Sequence, residues 1–197
     1  MRHRTILAVV LAFLALACAV PAQSRYSKPD RPHVELFPHV GFYTEYSYDE
    51  WATDFACGGA VAVYATRNLA FEFDFEYADG FEREFWSSVP GHGSTVARES
   101  HTDYWTEVNV LYHFGGDETV RPYMCGGLGN VHSEFRETYP EFPGIWYTAT
   151  ANEFTGNFGG GVKIMVARNV AVRLEYKLSG VDGVYINRFR GGISFIF

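Results

Sequence analysis

Apolar and polar side chains alternate with a period of two along most of this chain. The clearest stretch sets an apolar row against an acidic or small row: Leu69, Phe71, Phe73, Phe75 and Tyr77 against Ala70, Glu72, Asp74 and Glu76. Successive side chains of a β-strand point to opposite faces, so this alternation predicts a strand with one apolar and one charged face. Residues 170–178 repeat the pattern, and no stretch shows the apolar spacing of an amphipathic helix. The chain is therefore predicted to be all-β.

Eight such segments are predicted, each about ten residues long, which is the length of a tilted membrane-spanning strand. We place them near residues 33–44, 55–65, 69–77, 101–114, 120–135, 153–166, 170–178 and 186–197. The faces of the second and fifth segments stay unassigned, because small residues are abundant in both. Short links alternate with long ones: 66–68, 115–119 and 167–169 against 45–54, 78–100, 136–152 and 179–185. This alternation predicts an eight-stranded antiparallel up-and-down β-barrel with its tight turns at one end and its long loops at the other.

Two kinds of barrel fit the alternation, a water-soluble one with its charges outside and a membrane-spanning one with its charges inside. The membrane barrel is favoured because an eight-stranded interior has little room for five large residues from one strand. Aromatic residues toward the strand ends and a last strand that ends at Phe197 also favour it. The residues predicted to face lipid are Phe71, Phe73, Phe75, Val172, Leu174, Tyr176, Ile193, Phe195 and Phe197.

The first residues of the chain predict export. Arg2 and Arg4 precede an apolar run at 6–20, which small and polar residues follow, as in a secretory signal. The run is roughly 15 residues long, short of the about 20 that a membrane-spanning helix needs. We expect a signal peptide at 1–22, a short periplasmic segment at 23–32 and the barrel at 33–197.

Charge and cysteine content narrow the function classes. The formal net charge is −7, and an acidic chain without a basic cluster argues against a nucleic-acid partner. Cys57 and Cys125 are expected to be buried and unpaired, because their predicted strands are not neighbours. Cys18 leaves lipidation of the exported chain as an open alternative.

Three motifs resemble those of a known family. They are Arg121-Pro122-Tyr123, the glycine-rich Gly126-Gly127-Leu128-Gly129, and the closing strand that ends at Phe197. Together with the eight-segment pattern they resemble the OmpA/OmpX-type small outer-membrane barrels. The resemblance implies an outer-membrane location in a Gram-negative-type cell and contact with outer-membrane lipid and lipopolysaccharide. It also implies recognition of the C-terminal strand by the barrel-assembly machinery. That family includes structural anchors and adhesins, so it leaves the function class open.

A barrel of eight strands places each strand opposite the strand four further along. We therefore expect acidic residues of the third strand to meet Arg173 and Lys177, and Asp103 and Glu107 to meet Arg188 and Arg190. Isolated charges in a narrow lumen are strongly disfavoured, so these groups are predicted to form a salt-bridged plug, to which Glu35 is a candidate addition. The predicted network is Glu72, Asp74, Glu76, Asp103, Glu107, Lys163, Arg173, Glu175, Lys177, Arg188 and Arg190.

No catalytic, cofactor or metal site is predicted. His132, Ser133 and Glu134 are consecutive, and adjacent strand residues point to opposite faces, so His132 is not expected to reach the Ser133 hydroxyl. His101 and Asp103 share a face, where hydrogen bonding is expected and no serine is expected in register. The histidines lack the paired spacing of a zinc site. The run at 159–161 lies within a strand, which argues against a phosphate loop.

The long links are the expected functional surface, since binding residues concentrate on loops. Their predicted binding residues are Phe85, Trp86, Tyr139, Phe142, Trp146 and Tyr147. The leading hypothesis is a non-enzymatic outer-membrane barrel with a closed lumen, in an envelope-structural or an adhesive role. A narrow ion or small-solute channel and a lipid A-modifying enzyme remain as alternatives.

Overall fold

The computed structural model describes residues 33–47, 50–89, 93–114, 119–142 and 144–197. The predicted signal peptide at 1–22 and the predicted segment at 23–32 lie outside these residues. The barrel predicted from residue 33 onward lies almost wholly within them.

Eight antiparallel strands form one closed barrel in chain order. They are β1 (Val34–Ser47), β2 (Glu50–Tyr64), β3 (Leu69–Val89), β4 (Gly93–His113), β5 (Val120–Thr138), β6 (Trp146–Ala167), β7 (Val170–Val181) and β8 (Val184–Ile196). β1 pairs with β8, for example Gly41 with Arg190, so the sheet has no free edge. The predicted all-β up-and-down architecture is confirmed. The described part of the chain has no helix that is both long and apolar enough to cross a bilayer.

The strands extend well beyond the predicted ones on one side of the barrel. β3, β4, β5 and β6 are 21, 21, 19 and 22 residues long, and cross-strand pairs such as Glu84 with Arg98 lie inside the predicted loop 78–100. The prediction of long loops at 45–54, 78–100, 136–152 and 179–185 is therefore wrong, because those residues are mostly strand. Loss of strict apolar alternation indicates a loop from sequence alone, but the cross-strand ladder continues through these residues, because antiparallel pairing depends on backbone hydrogen bonds and not on the polarity of the faces.

Tight turns join the strands at the opposite end of the barrel, as predicted, at 65–68 and 168–169. The predicted turn at 115–119 lies almost wholly outside the described residues. In the first turn the Thr66 side chain accepts hydrogen bonds from the backbone N–H groups of Asn68 and Leu69, at 3.3 and 3.0 Å. A threonine hydroxyl that accepts from the following backbone stabilises such a turn.

Register assigns the faces of β2 and β5, which the sequence left open. On β2, Ala56, Ala60, Ala62 and Tyr64 are buried inside, whereas Val61 and Val63 are exposed. On β5, Arg121, Tyr123 and Cys125 are buried inside, whereas Met124 and Leu128 are exposed. Cys57 and Cys125 are both free, but Cys57 is exposed, so the expectation of burial is wrong for Cys57. Its position on β2 is an outward one, next to the buried Ala56.

Between the tight turns and the belt of outward rings, large apolar side chains cover the outer wall of the barrel. Phe71, Phe73, Phe75 and Leu174 are each about half exposed, and Phe197 is 73% exposed. Val172, Phe195 and especially Ile193 share the outward positions, but neighbouring side chains cover more of their surface. The residues predicted to face lipid thus all lie at outward positions of the wall, whereas the charged residues that alternate with them point into the lumen.

Candidate functional site

The lumen holds an unusual concentration of buried charge. All the residues of the predicted network are buried, and with Glu35 and Arg121 they place seven carboxylates and six lysine or arginine side chains inside the barrel. Near balance of the two signs is what a low-dielectric interior requires, since an isolated buried ion is strongly disfavoured. The interior therefore contains ion pairs where a soluble barrel has an apolar core.

Arg190 on β8 is the centre of this network. Its guanidinium donates to Glu175 at 2.6 Å, to Glu76 at 3.1 Å and to Glu72 at 3.5 Å, and it also contacts Asp74. One planar group with several N–H donors thus holds together carboxylates from β3 and β7.

Arg173 on β7 forms a second junction one layer closer to the turns. It donates to Glu72 on β3 at 2.5 Å and also contacts Glu175 on its own strand. The Tyr123 hydroxyl accepts from Arg173 at 2.7 Å and donates to Glu175 at 2.6 Å. Gly161 on β6 leaves room for this tyrosine, because a Cβ there would lie 2.5 Å from the Tyr123 hydroxyl. The sequence did not indicate Tyr123, because the faces of β5 were unassigned.

Lys177 and Arg188 extend the network toward the outer side. Lys177 donates to Asp74 at 3.3 Å and to Glu107 at 3.1 Å, and Arg188 contacts the other oxygen of Glu107. The predicted pairings of β3 with β7 and of β4 with β8 are both present.

Asp103 departs from the prediction that it meets Arg188 or Arg190. It lies on the outer side of Trp105, where it accepts a hydrogen bond from Ser133 at 2.6 Å and contacts the His101 ring at 3.0 Å. The strands of a closed barrel are tilted and staggered, so sequence position alone does not fix the height of a residue along the axis. The expectation that no serine lies in register here is also wrong, because Asp103 pairs with Ser133.

An apolar belt covers the network on its outer side. It takes one residue from every strand except β6: Tyr43, Ala56, Ala78, Trp105, Val131, Val181 and Ile186. The Trp105 ring packs edge-on against Tyr43 with centroids 5.4 Å apart, and the Arg188 guanidinium carbon lies 4.5 Å from its centroid. The sequence did not single out Trp105 or Tyr43, and their period-two spacing from Glu107 and His39 is the signal that places them inside.

A third group fills the lumen next to the tight turns. Tyr64 donates to Glu35 at 2.8 Å, and Lys163 contacts both of these side chains. His33 stacks on the Tyr64 ring with centroids 3.9 Å apart, and the tilted His113 ring lies with its centroid 5.3 Å from that of Tyr64. The charged centre of the barrel is thus enclosed by aromatic rings at both ends.

The fold brings together two clusters of side chains of the types found in metal sites and hydrolase active sites. Spacing along the sequence did not reveal either cluster. His39, Asp74 and Glu76 place one donor atom each within 4.8 Å of one another, as a metal site would. Arg190 contacts all three of them, so a cationic group already lies among these donors. At the second cluster, His101 and Ser133 both contact Asp103, and His132 instead contacts Asn152 at 2.9 Å. The Ser133 hydroxyl thus donates to a carboxylate, whereas in a serine hydrolase it donates to the histidine.

The four long strands rise above the belt as an outer extension, residues 79–89, 93–102, 134–142 and 144–153. A small apolar cluster holds its tips together, with Ala97 and Tyr139 buried and Phe85, Phe142 and Ile145 packed against them. Polar contacts add to it, since Thr95 donates to Glu141 at 2.7 Å and Tyr139 donates to Glu137 at 2.6 Å. The last of these hydrogen bonds raises the pKa of the Tyr139 phenol.

The extension divides the predicted binding residues into two sets. Trp86, Trp146 and Tyr147 are 76%, 58% and 51% exposed. Phe85, Tyr139 and Phe142 belong to the apolar cluster, where they order the tips. Aromatic content alone did not separate the exposed rings from those that pack.

Several solved structures have a fold similar to this one. The chain is similar to a major outer membrane protein from Thermus thermophilus, with a TM-score of 0.63 and 14% identity over 85% of this chain and 100% of that chain. It is similar to Neisserial surface protein A, with a TM-score of 0.59 and 14% identity over 83% of this chain and 96% of that chain. It is also similar to Ail, the attachment invasion locus protein of Yersinia pestis, in complex with the heparin analogue sucrose octasulfate. The TM-score there is 0.52, with 16% identity over 84% of this chain and 97% of that chain. The TM-scores show a common fold, and at these low identities they show the fold alone.

Sequence comparison identifies the family. No curated protein sequence matches the chain. Residues 9–197, which include every described strand, match the family described as Outer membrane protein beta-barrel domain. The chain therefore belongs to this family of outer-membrane β-barrel proteins.

Proposed function

We propose that this protein is a non-enzymatic outer-membrane anchor with a closed lumen, which presents its outer extension as an adhesive binding surface. One observation carries the proposal: ion pairs and rings fill the lumen, whereas large exposed aromatic side chains lie on the extension. The barrel then supplies position and stability, and the extension supplies the contact with other molecules.

The closed lumen is supported by Arg190 and Trp105, which stand at its centre and in its outer belt. A solute would have to separate Arg190 from its four carboxylates and displace the Trp105 ring. Planar-bilayer recordings test this. We expect the native protein to give no large stable openings. The Trp105→Ala variant should open more often than the native protein does. Large openings of the native barrel would instead favour the narrow channel.

The adhesive role is supported by Trp86, Trp146 and Tyr147, because exposed aromatic residues of this density are typical of interfaces. The experiment compares adhesion of cells that display the native protein with cells that display a variant with all three replaced by alanine. We expect adhesion to fall while heat-modifiable mobility on a gel stays native. Unchanged adhesion would leave an envelope-structural role, and an altered lipid A mass on expression would favour the enzyme.

The proposed partners in the membrane are lipid, lipopolysaccharide and the assembly machinery. Phe197 directly follows β8 and is 73% exposed, which suits recognition of this strand during insertion. Removal of Phe197 should lower the amount of folded protein in the outer membrane, whereas Arg98→Gln on the extension should leave it unchanged.

A further inference from the structure

A cleft opens on the outward wall of the extension, across β4, β5 and β6. Its volume is about 490 Å³, within the range of small-molecule sites. Cross-strand register aligns Ser100 with Arg136 and Arg136 with Thr148, so three strands present polar groups on one face. The lining residues are Ser100, Thr102, Glu134, Phe135, Arg136, Trp146 and Thr148.

Trp146 and Arg136 give this cleft its character. Trp146 is 58% exposed and lines the cleft, and the Arg136 guanidinium carbon lies 5.9 Å from the centroid of its ring. The nearby carboxylate of Glu134 lies 3.6 Å from His132. Among the ion pairs of the described side chains, none includes Arg136, so its charge is available to a ligand.

The position of the cleft along the barrel axis indicates the environment that surrounds it. Directly toward the membrane, an outward row of rings crosses β3, β4 and β5, with Tyr77 and Tyr104 centroids 5.5 Å apart and Tyr104 and His132 centroids 6.1 Å apart. Amphipathic rings mark the interface between hydrocarbon and polar headgroups. The cleft therefore stands in the layer of headgroup sugars and of glycans that approach the cell.

We propose that this cleft binds one acidic sugar residue. The Trp146 indole stacks on the apolar face of the sugar ring, and Arg136 pairs with its carboxylate or phosphate. Hydroxyls of Ser100, Thr102 and Thr148 exchange hydrogen bonds with the sugar hydroxyls, and the Glu134 carboxylate accepts from them. The inference rests on the proposed function of the extension and names the ligand class of one part of it.

Calorimetric titration of the folded barrel in detergent tests the proposal. The probes are a glucuronate-containing disaccharide, the neutral disaccharide maltose, and vesicles that carry a glucuronate glycolipid. We expect the acidic disaccharide to bind at least about tenfold more tightly than maltose. Binding of the glycolipid vesicles in preference to the soluble sugar would assign the source to membrane glycolipid, and the reverse would assign it to free glycans.

Three variants locate the binding. Trp146→Ala should abolish it and Arg136→Gln should weaken it about tenfold. Tyr185→Ala is the matched control, because it removes a ring that is 68% exposed on β8, outside the cleft, and it should bind as the native protein does. Gel mobility verifies that each variant is folded.

Equal affinity for acidic and neutral sugars, or native binding by Trp146→Ala, would overturn the proposal. These failures differ from failure of the adhesive function. If the triple alanine variant loses adhesion while Trp146→Ala alone keeps sugar binding, the cleft assignment is wrong and the adhesive surface remains.

Discussion

The lumen and the outer extension are built from the same strands and are held together in opposite ways. In the lumen, Glu72 and Arg173 are 101 residues apart in the chain and both fully buried. In the extension, Arg98 pairs with Glu84, which is 14 residues away on the same hairpin, and both side chains are about half exposed.

This contrast separates global from local stability. When one partner of a buried ion pair is removed, the remaining charge is left buried and unpaired. Because the pair links distant strands, this loss destabilises the whole barrel. An exposed pair within one hairpin is screened by water and contributes little. The lumen is therefore expected to determine whether the barrel forms, and the extension is expected to tolerate change, as a binding surface requires.

The largest expected effect is that of Arg190→Met. It leaves four buried carboxylates without their shared guanidinium, so the free energy of unfolding should fall by about 3–5 kcal/mol. Urea titration of the barrel in lipid vesicles measures it. A loss no larger than that of an exposed variant would show that lumen and extension do not differ.

The next effect is on the lipid face. An arginine at the bilayer midplane costs about 2–4 kcal/mol in such barrels, so Phe73→Arg should greatly reduce the folded fraction. Phe73→Leu at the same position keeps an apolar side chain against the lipid and should leave the folded fraction near native. Heat-modifiable gel mobility compares the two variants, and a native folded fraction for Phe73→Arg would mean that this face does not contact hydrocarbon.

A smaller and more local effect is expected in the extension. Tyr139→Ala removes a buried ring from the apolar cluster with Ala97, and the free energy of unfolding of the barrel should fall by only about 1 kcal/mol. The tip at 139–145 should nonetheless be cleaved faster by proteases, because local opening there is decoupled from global unfolding. An unchanged cleavage rate would argue against a structural role for the cluster.

The smallest effect belongs to the exposed pair of Arg98 and Glu84, which are 2.8 Å apart. Arg98→Gln should change the free energy of unfolding by less than about 0.5 kcal/mol. The same urea titration measures it beside Arg190→Met. A larger loss would place this surface pair within the cooperative unit of the barrel.

The sequence by itself determined the strands and their faces wherever alternation was strong. Glu72, Asp74 and Glu76 on β3 and Arg173, Glu175 and Lys177 on β7 all point inward, as period two required. The facing of strands four apart followed from closure of eight strands, which predicted that β3 meets β7. Both inferences depend on local or topological rules that need no coordinates.

Only the tertiary structure decided heights and neighbours along the barrel axis. It placed Asp103 beside Ser133 on the outer side of Trp105, and it brought His39 to Asp74 and Glu76. It also extended the strands through residues that had been predicted to form loops. The physical reason is stagger: register between paired strands sets the height of each residue, and the periodicity of one strand carries no information about its register with the next.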